Sequence, residues 1–102
     1  MSYATASRPR TVLAPTGELD VGTVAALQKR LLERPMAPGA QIVLDLGEVT
    51  FMDSTGIRLI LQAREHALRH GGDLLLIRGA EPVMRVLELV GLDEQLEIAD
   101  SL

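Results

Sequence analysis

Residues 51 to 56, FMDSTG, place a carboxylate, two hydroxyls and a glycine between the apolar stretch Ile42 to Leu46 and the helix-like run Ile57 to Leu68. Such groups support nucleophilic catalysis, phosphoryl acceptance or the capping of a helix. Catalysis through Ser54 or Thr55 needs a nearby base oriented by a third group. Asp53 is adjacent, but helical rise carries His66 about 18 Å along the axis from Ser54, and His70 lies farther on. A hydrolase is therefore disfavoured. Asp45, at the end of an apolar run, resembles an acceptor aspartate with Asp53 nearby, yet the lysine that would compensate a phosphoryl charge is missing, because Lys29 falls in mid-helix.

Metal chemistry is equally thin. His66 and His70 are four residues apart and share a helix face, so both can approach one ion, but two ligands do not make a site. Glu65 does not complete the metalloprotease spacing. The plainer role for these histidines is to complement a helix C-terminus. GGD at 71 to 73 and the lone Gly47 lack the glycine spacing and following lysine of a nucleotide loop. Neither a catalytic centre nor a metal or cofactor is expected.

The hydroxyl at the helix start then has two readings. Asp53 or Ser54 can cap the helix, accepting hydrogen bonds from free backbone N–H groups. The same N–H groups and the positive end of the helix dipole also favour a phosphate at Ser54, and Gly56 offers no side chain to obstruct a protein approaching it. If the backbone at 56 is helical, propensity alone gives Gly56→Ala a gain of up to about 1 kcal/mol.

These groups need a scaffold, and the composition is sufficient for one. At 102 residues, 47% of them apolar, the chain fits a single compact domain spanning 1–102. It has no cysteine, so disulfides and thiolate metal sites are excluded and a reducing cytoplasm is the expected setting. No apolar run reaches the roughly 20 residues that span a bilayer, and MSYATASRPR lacks the hydrophobic segment of a signal peptide. The net charge of -4 argues against direct nucleic-acid binding, which needs a basic face.

Tyr3 to Thr5 and Thr11 to Ala14 read as a weak hairpin around Arg8-Pro9, followed by a turn at Pro15-Thr16-Gly17. Asp20 or Thr23 caps a first helix with Val24, Leu27 and Leu31 on one face, and Pro35 ends it. Ile42 to Leu44 is a continuous apolar strand buried on both faces. A second helix is expected from Ser54 to His70, with Ile57, Ile60, Leu61, Ala67 and Leu68 as its stripe and Gly71-Gly72 as its exit. Leu74 to Ile77 forms another strand. A third helix starts at Pro82 with Val83, Val86, Leu87 and Val90 inward, and Leu96 to Ile98 closes the order β-β-α-β-α-β-α-β. Strands alternating with helices indicate an α/β sandwich.

Three segments, GELD at 17 to 20, VLDLGEVTFMDSTGIRLIL at 43 to 61 and GGDLLLIRGAEPVMRVLELVGL at 71 to 92, resemble the anti-sigma factor antagonists of the STAS domain family. The likeness covers about residues 11 to 99, and the DSTG box is its most specific part. It implies an α/β domain with a mixed central sheet and helices packed mainly on one face. It also implies a non-enzymatic cycle in the bacterial cytoplasm. The antagonist binds an anti-sigma factor, itself a serine kinase, and so frees a sigma factor; phosphorylation of Ser54 ends the binding and a phosphatase restores it. Asp20, Asp53, Ser54, Thr55 and Gly56 are the partner-binding residues carried over by the resemblance, with Thr55 a minor acceptor. STAS domains also serve as soluble parts of membrane transporters and in stress-signalling complexes, which is the alternative reading.

Overall fold

The computed structural model of the chain describes residues 8–102. Its elements in chain order are β1 (Arg10–Leu13), β2 (Gly17–Leu19), α1 (Val21–Glu33), β3 (Gln41–Asp45), β4 (Val49–Met52), α2 (Ser54–Arg69), β5 (Asp73–Ile77), α3 (Glu81–Leu89), a 3-10 turn (Leu92–Glu94) and β6 (Glu97–Ala99). Four strands form one sheet in the order β1-β3-β5-β6, while β2 and β4 make a separate two-stranded ribbon. Every pairing among the described residues is parallel. The first half of the expected hairpin, Tyr3 to Thr5, lies outside the described residues, as would any antiparallel strand that it contributes to a mixed sheet.

The apolar runs explain the sheet. Ile42, Val43 and Leu44 are all but fully buried because β3 lies between β1 and β5 with cover on both faces. Ile42, Leu44, Leu74 and Leu76 join a large core with the inward residues of all three helices, whereas Val43, Leu75 and Ile77 form a smaller cluster with Ala99 on the other face. The helices thus share one face, as the family resemblance implies.

Each helix begins and ends for local reasons. Arg34, held extended ahead of Pro35, terminates α1. At the end of α2, Gly71 takes a left-handed backbone (φ 76°). Gly72 N–H then donates to the Ala67 carbonyl at 2.9 Å and Gly71 N–H to that of Leu68 at 3.1 Å, a paired closure that feeds directly into β5.

Three expectations need correction. Gly17 does not close a turn but opens β2, and β4 precedes α2; both strands were missed because they are short and exposed in the middle. The buried face of α2 consists of Gly56, Leu59, Ile60, Ala63 and Ala67, leaving Leu61 and Leu68 outside. On α3 the inward residues are Val83, Met84 and Leu87, and Val90 is exposed. On α2 the small residues Gly56 and Ala63 serve as core positions that a search for large apolar side chains passes over.

Gly56 belongs to that buried face, so its missing side chain answers a packing need and not an open approach. A Cβ there would stand 2.3 Å from Met52 Cγ, 2.9 Å from its Sδ and 3.4 Å from Leu19 Cβ. Met52 is itself buried, so it cannot simply swing into solvent. Overpacking of this kind costs about 1 to 3 kcal/mol, which outweighs the helix-propensity gain of about 1 kcal/mol. Gly56→Ala is therefore expected to lower stability, and Met52→Ala to cost less in that background than it does alone. Urea denaturation of the two single variants and the double variant checks both signs.

Candidate functional site

The site is assembled by the β2–β4 ribbon. Its parallel register pairs Leu19 with Met52, so the next residue on each strand, Asp20 and Asp53, leaves the ribbon side by side. Neighbouring strands lie about 4.8 Å apart, and Asp53 N–H reaches the Leu19 carbonyl at 3.4 Å. Both aspartates have extended backbones and both cap a helix. Two helix N-termini thus open in the same direction from adjacent parallel strands.

The caps are built differently. Asp20 Oδ1 accepts from Gly22 N–H at 3.0 Å and Thr23 N–H at 3.2 Å. The Thr23 hydroxyl accepts in return from Asp20 N–H at 3.1 Å and donates to the Glu18 carbonyl, completing a reciprocal capping box. Asp53 Oδ1 accepts from Thr55 N–H at 2.9 Å and also from the Thr55 hydroxyl. The Thr55 hydroxyl bond, then the backbone N–H, hold the Asp53 carboxyl below its ordinary range against a weaker opposing effect of burial. Asp53 is a fully ionised acceptor near neutral pH.

This asymmetry separates the two hydroxyls. Thr55 is half-buried with its oxygen committed to Asp53, whereas the Ser54 side chain stands exposed on the first turn of α2. Ser54, Asp53, Thr55 and Asp20 are brought together as the sequence suggested. Gly56 lies beneath them in the core, so it holds the turn down and presents no side-chain face.

Two exposed apolar residues that no sequence motif singles out flank the caps. Val21, the first residue of α1, is 77% exposed, and Phe51 on β4 is 48% exposed beside Glu18, its register partner. Both are large apolar side chains left in water next to the paired caps. Their sequence signal was position: each sits within two residues of a capping aspartate.

The remaining candidates lie elsewhere. Asp45 accepts from Gly47 N–H at 2.9 Å and so closes the turn after β3. His66 and His70 lie together at the far end of α2, with ring centroids 4.7 Å apart and planes tilted by 59°, and the His70 Nδ1 meets the His66 carbonyl at 2.8 Å. Burial first, then His70 and Arg69, push the His66 pKa below its usual value. No group of three or more metal-ligating side chains forms among the described residues. No helix among them is long and apolar enough to cross a membrane.

Similarities to known proteins bear on what this arrangement is for. The anti-sigma-B factor antagonist of Bacillus subtilis (strain 168) is 31% identical over 84 residues, which cover 81% of this chain and 75% of that protein. That of Listeria monocytogenes is 29% identical over 82 residues, or 80% of this chain and 72% of the relative. Among solved structures, the anti-sigma factor antagonist SpoIIAA in its unphosphorylated form superposes with a TM-score of 0.74 at 23% identity, covering 91% of this chain and 82% of that one. A sulfate transporter family protein from Wolinella succinogenes gives 0.77 at 20% identity, covering 99% and 86%; these two likenesses speak to the fold alone. The model of the STAS domain matches residues 3–102, and with the ribbon, the paired caps and the one-sided helix layer in view, the chain belongs to the STAS domain family.

Proposed function

We propose that the protein is an anti-sigma factor antagonist. It binds an anti-sigma factor and so releases a sigma factor, without a catalytic step, metal or cofactor of its own. The anti-sigma factor is a serine kinase that transfers phosphate to Ser54 and thereby ends the association, and a phosphatase resets it in the cytoplasm. The observation that carries this reading is the division of labour in the box: Thr55 is tied to Asp53 while Ser54 is exposed on the first turn of α2. The names of the relatives near 30% identity favour this role. Docking on a transporter has support only at the level of the fold.

The partner surface comprises Asp20, Asp53, Ser54 and Thr55, flanked by the exposed Val21 and Phe51, while Gly56 acts from below by seating the turn. Phosphorylation adds about 1.5 to 2 negative charges beside Asp53 to a chain already at -4. The helix tolerates the phosphate because its N-terminus is electropositive. An acidic or apolar partner surface does not. At about 6 Å each unit of like-charge repulsion costs roughly 0.7 to 3 kcal/mol across plausible dielectrics, so affinity falls about tenfold to several thousandfold.

Incubation with ATP and the cognate kinase is expected to phosphorylate Ser54, and Ser54→Ala to abolish incorporation while the fold persists. Peptide mapping by mass spectrometry checks the position; phosphate confined to Thr55 would remove the assignment. Calorimetric titration is expected to show the phosphorylated protein losing affinity with its melting temperature unchanged. The surface has its own test: Phe51→Ala or Val21→Ala is expected to weaken kinase binding by about tenfold or more, as anchors at a contact centre do. Unaltered affinity in both folded variants would place the contact elsewhere.

A further inference from the structure

Arg58 is exposed on α2 one helical turn beyond Ser54, and its own helix offers it no carboxylate: the positions three and four away are Ser54, Thr55, Leu61 and Gln62. The ion pairs among the described residues join Arg8, Arg69, Arg78 and Arg85 to acids and leave Arg58 out. Two of them follow one rule. Glu65 meets Arg69 at 2.6 Å and Glu81 meets Arg85 at 2.9 Å, each with the acid four residues ahead of the arginine. That order is the favourable one on a helix, and both pairs form although their side chains are largely in water. Ser54 and Arg58 repeat the spacing and the order with a hydroxyl where the acid would be.

Surrounding elements do not supply the missing anion. α1 runs alongside α2, bonded through Gln28 Nε2 to Gln62 Oε1 at 2.7 Å, and from Val21 to Leu32 it carries Lys29 and Arg30 but no carboxylate. Asp20 and Asp53 turn their carboxylates into their own helices as caps. Glu18, exposed on β2, is the remaining acid at this end of the ribbon.

We propose that Arg58 is the built-in counter-ion for a phosphate monoester on Ser54, completing the same pair that the two glutamates make elsewhere. The guanidinium presents a fork of N–H donors that matches two phosphate oxygens. Phosphorylation then does two things at once: it adds an anion and takes a free cation away from the partner surface. This rests on Ser54 as the modified residue, but the pairing itself is testable without any kinase.

Protein carrying phosphoserine at position 54, installed during translation, is titrated by phosphorus NMR as the native chain, as Arg58→Gln and as Arg58→Lys. The native chain is expected to show a second phosphate ionisation below the value of about 6 for phosphoserine. Arg58→Gln is expected to raise it by about 0.3 unit or more, with Arg58→Lys between the two. In urea the three should coincide, and in salt near 1 M, where screening acts within about 3 Å, the native chain should approach Arg58→Gln. Superimposable native-state titrations of the folded native and Gln proteins would overturn the proposal, leaving the helix N-terminus alone to hold the phosphate. Should Arg58→Gln fail to fold, a salt-independent titration of the native chain would overturn it equally. A pairing seen here together with no phosphate transfer to Ser54 by the kinase would instead count against the function proposed above.

Discussion

The pairing of β2 with β4 is the constraint from which the rest of the site follows. Only seven residues take part, Gly17–Leu19 and Val49–Met52, yet their parallel register ends both strands at the same level. Each strand is followed at once by an aspartate that cannot continue it and a helix that must start. Had the ribbon been antiparallel, the two helix N-termini would point to opposite ends and Asp20 could not neighbour Asp53. The four-stranded sheet behind it supplies the rigid core on which α1 and α2 lie.

Electrostatically, the same geometry sets two positive helix ends together and answers each with one carboxylate. The aspartates are thus each spent on the backbone N–H groups of their own helix. Asp53 also selects between the hydroxyls, since its bond to Thr55 leaves Ser54 as the accessible one. Local capping, an ordinary feature of helix formation, therefore decides which oxygen faces the solvent.

Much of this was legible in the residues. Continuous apolar runs announced β3 and β5, and the αL glycine at 71 marked the end of α2. The DSTG box and GELD segment pointed to Asp20, Asp53 and Ser54 through family resemblance, and the ribbon sets these residues together. The ribbon strands stayed hidden because three or four residues with an exposed centre carry no period, and their partner lies some 30 residues away in the chain. The inward face of α2 was displaced because Gly56 and Ala63 contribute little apolar signal while allowing the helix close to the sheet. The difference between Ser54 and Thr55 was beyond composition or spacing; it rests on the direction in which one carboxylate points.

The contact between Gly56 and Met52 has a consequence for how such a box should be read in other chains. Its four letters answer to separate demands: aspartate starts the helix, threonine is held by that aspartate, glycine admits the methionine, and serine alone is free of structural duty. A descendant that exchanges only the serine would keep the architecture and, on the function proposed above, lose its phosphate acceptor. Motif searches that score all four positions alike would then weigh three residues that the scaffold needs equally with one that it does not. Aspartate, threonine and glycine belong to the scaffold, and the exposed serine hydroxyl is the one position that the scaffold leaves open.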